Sequence, residues 1–131
     1  MSDRCFGIGF AWSPDGSMIA YSQGGDDPGI LLADPDGTTK TRLPGTEDVS
    51  SEPAWSPDGA SIAFAAGGAA PGLYVADVAG AGNRLLAPGS VIQGNQHGPV
   101  WSSDGTRVAF ESSDQGRDRI YVANADPLHR W

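Results

Sequence analysis

WSPDG at residues 12–16 returns as WSPDG at 55–59 and as WSSDG at 101–105, and the rest of the chain is read outward from this recurrence. The three tryptophans, Trp12, Trp55 and Trp101, stand 43 and 46 residues apart. A period of about 40–45 residues is that of one four-stranded propeller blade. The motif itself describes a tight hairpin: proline sets φ for the first corner, aspartate bonds nearby amides, and glycine accepts positive φ. Asp15, Asp58 and Asp104, with Gly16, Gly59 and Gly105, are therefore read as turn residues, because a catalytic carboxylate has no need to recur once per unit. In the third copy Ser103 stands where the other two have proline. That hairpin is expected to be less rigid, by about 0.4–1 kcal/mol.

The register extends beyond the motif. Nine residues after each tryptophan comes an aromatic, Tyr21, Phe64 or Phe110, preceded by Ile19-Ala20, Ile62-Ala63 or Val108-Ala109. Further on, Asp34, Asp77 and Asn124 close apolar runs at 30–33, 73–76 and 120–123, and Arg42, Arg84 and Arg130 follow. Each unit thus holds four short runs of strand type, a to d, separated by Gly, Pro, Asp and Ser. The expected fold is all-β: blades of four antiparallel strands, three blades per chain. The units span about residues 10–45, 53–89 and 99–131 within a single half-propeller domain, 1–131. The tryptophans read as packing between neighbouring blades, where an aromatic buries a large area.

The pattern resembles the TolB-type β-propeller repeat, in which WSPDG is followed by a small spacer and Ile-Ala-Phe, then an Ile-Tyr-Val-x-Asp strand and an Arg-Leu strand. The middle unit, 53–88, matches nearly throughout, and the resemblance runs from about Phe10 to Trp131. It speaks to architecture, while function has to be argued from a site.

Composition agrees with a small all-β domain: 19 Gly, 10 Pro and 39% hydrophobic residues supply many turns and no amphipathic helical stretch. The formal net charge of −8 and the lack of any Lys/Arg run argue against nucleic acid or an anionic membrane as partner. Cys5 is the single cysteine and forms no internal disulfide. The N-terminal MSDRCFGIGF lacks the basic and apolar regions of a signal peptide, so the chain as written reads as cytoplasmic. The resemblance, in contrast, implies a family that is often periplasmic.

Enzyme signals are weak. Ala20-Tyr21-Ser22-Gln23-Gly24 misses the GxSxG nucleophile elbow by one residue, and it falls in a strand where that motif needs a strand-to-helix turn. His97 and His129 are the only histidines, too few for a His-based metal site. Asp34-Pro35-Asp36-Gly37 is a fragment of a calcium loop without its remaining ligands. The expectation is no catalytic residue and no cofactor, calcium or another divalent cation being the one ion the carboxylates would attract.

In an up-and-down blade the a-to-b and c-to-d turns share one face of the disc and the b-to-c and d-to-a connections the other. The SPDG turns occupy the first face. The second holds segments that differ between units, 23–29, 67–72 and 112–118, and 45–52 and 89–98. Variable loops on a fixed scaffold are where binding is expected. The candidate ligand-binding residues there are Asn95, Gln96 and His97, Glu52, Asp26, Asp27, Asp114 and Arg117.

Three blades do not close a ring, since propellers have about four to eight. The spacing across the termini continues the repeat, which leads to the expectation of a head-to-tail, two-fold homodimer with six blades. Residues 1–9, around 3–8 in particular, would pair beside the partner's last blade. The same register would arise in a fragment of a longer propeller. Two functions follow: a non-enzymatic interaction scaffold binding a protein, peptide or small ligand through its variable face or axial channel, or a hydrolase or sugar-processing module using carboxylates gathered at the ring axis.

Overall fold

A computed structural model describes residues 9–26, 28–49, 52–67, 72–80, 82–88, 99–114 and 117–125. Eleven strands among them form three antiparallel sheets. β1 (Gly9–Trp12), β2 (Ile19–Gln23), β3 (Gly29–Ala33) and β4 (Lys40–Arg42) make the first sheet in chain order. β5 (Ala54–Trp55), β6 (Ser61–Ala66), β7 (Gly72–Asp77) and β8 (Asn83–Pro88) make the second. β9 (Val100–Trp101), β10 (Arg107–Asp114) and β11 (Arg117–Asn124) make the third, whose expected fourth strand lies outside the described residues. Among the described residues no helix is long and apolar enough to cross a membrane.

Register is repeated from sheet to sheet because the a-to-b turn is repeated. In all three copies the motif glycine donates its N–H to the carbonyl of the serine after the tryptophan: Gly16 to Ser13, Gly59 to Ser56 and Gly105 to Ser102, each at 2.9 Å. All three glycines sit at φ 76°, a conformation that side chains with a Cβ rarely adopt. The hairpin then pairs Trp12 with Ile19, Trp55 with Ile62 and Trp101 with Val108.

The core lies between sheets. One cluster, including Ala20, Ile30, Leu32, Ile62 and Phe64, fills the space between the first and second. A second, of Ala63, Leu73, Val75, Val108, Phe110 and Ala125, fills that between the second and third. At both junctions the tryptophan of one sheet donates its indole N–H backwards to the first strand of the sheet before: Trp55 Nε1 to the Ala11 carbonyl at 3.0 Å, and Trp101 Nε1 to the Ala54 carbonyl at 2.9 Å. Trp55 and Trp101 thus sit between neighbouring sheets and hydrogen-bond an edge strand, whose outward carbonyls would otherwise lack partners, whereas Trp12 is exposed.

The two outer sheet faces carry the same apolar positions uncovered. Ile30 and Leu73 are 0% exposed, and their counterpart Ile120 is 78% exposed. Leu32 and Val75 are each 4% exposed, against 59% for Val122. On the first sheet Trp12 is 60% exposed and Phe10 73%, whereas Pro53 and Pro99, which hold the Phe10 position in the next two units, are buried.

Candidate functional site

Each SPDG turn is held by a serine–aspartate pair. Ser13 Oγ donates to Asp15 Oδ1 at 2.8 Å and accepts from the Met18 N–H at 3.0 Å. Ser56 Oγ donates to Asp58 Oδ1 at 2.6 Å and accepts from the Ser61 N–H at 3.1 Å, and Ser102 repeats this with Asp104 and Arg107. Hydrogen bonds from Ser17, through its backbone and side chain, and from Ser13 lower the Asp15 pKa from 3.8 to about 2. The Ser102 hydroxyl and the Thr106 amide lower Asp104 to about 2 as well, and the Ser56 hydroxyl leads in lowering Asp58. A carboxylate bonded in this way favours its charged form. In each of the three turns the aspartate thus accepts from a serine hydroxyl and from a backbone amide two residues on.

Between adjacent turns lie two matching grooves. One, of about 320 Å³, is lined by Pro14, Asp15, Met18, Trp55, Asp58 and Val78 among others. The other, of about 340 Å³, is lined by Pro57, Asp58, Arg84, Trp101, Asp104 and Thr106 among others. Pro14 Cδ stands 3.7 Å from where a Cβ at Gly59 would lie, and Pro57 Cδ 3.6 Å from the same point at Gly105. The prolines thus rest on the next unit's glycine. Sequence reasoning placed ligands on the opposite face and missed these grooves. Their only signal was that the motif recurs, which puts like turns side by side.

Of the residues expected to bind, Asn95, Gln96, His97 and Asp27 lie outside the described residues. Asp26 is exposed in the connection between β2 and β3. Glu52 precedes β5, and its Cγ fills the space a side chain at Gly9 would need, so it packs across the start of β1. The stretch 112–118 that carries Asp114 and Arg117 was expected to be a loop, whereas β10 extends to Asp114 and β11 starts at Arg117, the two residues being register partners at the strand ends. The pairing of eight residues on each side carries the strands past the length seen in the other sheets. The structure brings Glu52 to the first sheet and leaves Asp26 apart on its own connection.

In the d-to-a connection, the described residues 45–49 are also less open than expected. Thr46 is wholly buried, accepting from the Ile30 N–H at 2.9 Å and donating to the Leu43 carbonyl at 2.7 Å, and Val49 bridges to Ala66. Ser22, the residue of the near-elbow, is wholly buried within β2. Asp36 Oδ1 accepts from the Thr38 amide at 3.1 Å and from its hydroxyl at 2.9 Å, so this carboxylate of the calcium-like fragment closes the turn between β3 and β4.

Sheets stacked face to face, each entered through the same hairpin and stapled to the one before by a tryptophan, define a run of β-propeller blades. Residues 4–129 match the PD40 model, the TolB beta propeller domain, and the chain belongs to that family. Among solved structures it is similar to TolB from Acinetobacter baumannii, with 26% identity over 97% of this chain and 32% of that one, at a TM-score of 0.77. A TolB-like protein from Agrobacterium tumefaciens is 27% identical over 92% of this chain and 43% of its own, at 0.73. Oligogalacturonate lyase from Vibrio parahaemolyticus, 22% identical over 92% of this chain and 36% of that one at 0.67, shares the fold. The chain spans about a third to two fifths of the TolB structures it matches. Comparison with curated proteins gives no significant match.

Proposed function

We propose that this chain is a non-enzymatic propeller scaffold that works as half of a six-bladed ring, closed head to tail by a second copy, and binds a protein, peptide or small ligand on the loop face or at the channel mouth. One observation carries the reading. Positions whose counterparts are buried or partly buried at the two internal junctions are exposed at the ends of the described row: Ile120 and Val122 on the third sheet, Phe10 and Trp12 on the first. Soluble proteins rarely leave apolar sheet faces uncovered. A further blade of the same repeat has the shape and chemistry to cover both, and two chains of three supply six blades, within the range that closes.

Light scattering on the 131-residue chain tests the ring. Twice the 13.5 kDa of one chain is expected at micromolar concentration. A folded, sharply melting monomer would overturn it. For the ligand face, replacing Asn95, Gln96 and His97 together by alanine should leave mass unchanged and stability within about 0.5 kcal/mol. Collapse of the melting transition would mark this segment as structural and remove it as a binding surface.

A further inference from the structure

The two internal junctions are built to one rule, and the rule has a direction. The indole N–H is always on the later sheet, and its acceptor is always the residue just before the tryptophan of the earlier one, Ala11 or Ala54. Val100 holds that acceptor position in the third sheet. It pairs with Ala109 as Ala11 pairs with Ala20 and Ala54 with Ala63. At the other end of the row, Trp12 belongs to the first of the described sheets, and among the described residues its exposed indole makes none of the bonds that Trp55 and Trp101 make.

We infer that Trp12 Nε1 of one copy donates to the Val100 carbonyl of a second copy, making these residues the anchor of a directional interface between chains. The inference rests on the ring reading above and names how the ring closes. The two ends are unlike, one carrying the donor and one the acceptor, so head-to-head pairing leaves both unused and head-to-tail pairing uses both twice. Two differences set this join apart from the internal ones. Phe10 replaces the buried proline of the other units and adds apolar surface. Ser103 replaces the proline that would rest on the next glycine, here Gly16 of the second copy, around which there is open space within one chain.

The test uses the wild-type chain with 15N-labelled tryptophan, its indole signals assigned by W12F, W55F and W101F. In the paired protein, the Trp12 indole N–H should be as protected from hydrogen exchange as those of Trp55 and Trp101, and dilution should strip protection from Trp12 alone. W12F, which keeps an aromatic ring and removes the donor at both junctions of the ring, should weaken pairing by up to about a hundredfold, in line with the loss of two hydrogen bonds per dimer. A wild-type chain that stays monomeric at all concentrations would sink the ring reading itself. A dimer whose Trp12 indole exchanges freely, and which W12F leaves equally tight, would keep the ring and overturn this junction.

Discussion

At Asp15 a single carboxylate oxygen accepts from the Ser13 hydroxyl, the Ser17 amide and the Ser17 hydroxyl at 2.8, 3.0 and 2.7 Å. Those donors hold the folded pKa near 2, below the ordinary 3.8, as the equivalent set does for Asp104. The folded state therefore binds its proton more weakly than the unfolded chain. The stabilisation from these groups is fully present above about pH 4 and is lost as pH falls through about 2. Melting followed from pH 6 down to 2 should show a falling transition temperature over the last two units. Replacing Asp15 and Asp104 by asparagine should flatten that fall, and an unchanged slope would show that other carboxylates govern it. The aspartates were legible from the motif because their work is local. Ser56 was not: it is buried, and its hydroxyl links Asp58 to the Ser61 amide.

Among the elements, the hairpins and their order could be read directly, since turn chemistry and period-two alternation depend on residues a few positions apart. Strand length could not be read so well. Residues 112–118 look like a polar loop, but a strand continues for as long as its neighbour offers pairing, and β10 and β11 pair to their ends. The same limit hid Val49, whose bridge to Ala66 depends on the next sheet being in place. The candidate ligand residues were chosen by loop variability, which says nothing of which side chains converge. Three substitutions test the packing picture. Ser103→Pro, at a corner where Pro14 and Pro57 already fit, should raise stability by about 0.4–1 kcal/mol in denaturant titration. Leu73→Ala, in the sealed second junction, should cost about 2–5 kcal/mol, whereas Ile120→Ala at the open end should leave the single chain's stability nearly untouched. Equal losses at the two positions would mean that the outer face is already covered.

For the molecule as a whole, charge opposes what the apolar faces favour. Each chain carries a formal net charge of −8, so the proposed pairing would bring two acidic bodies together, and long-range repulsion between exposed charges is screened by salt. Sedimentation at low and at physiological ionic strength should show tighter pairing in the saltier buffer. Weaker pairing there would point to an interface held by ion pairs and not by apolar faces.

The acceptor at each junction is a main-chain carbonyl, and this has a bearing on which molecules can join. Side chains could be altered at position 100 without removing the oxygen that the indole would meet in the proposed ring, so such a join would be indifferent to much of the acceptor's identity and strict about the donor's. Recognition of this kind is grammatical: any blade that begins with the right word can follow any blade that offers an open edge. A cell that makes a second protein with the same repeat would find the two interchangeable at their ends, and insulation between them would have to come from timing, compartment or a covalent link between halves.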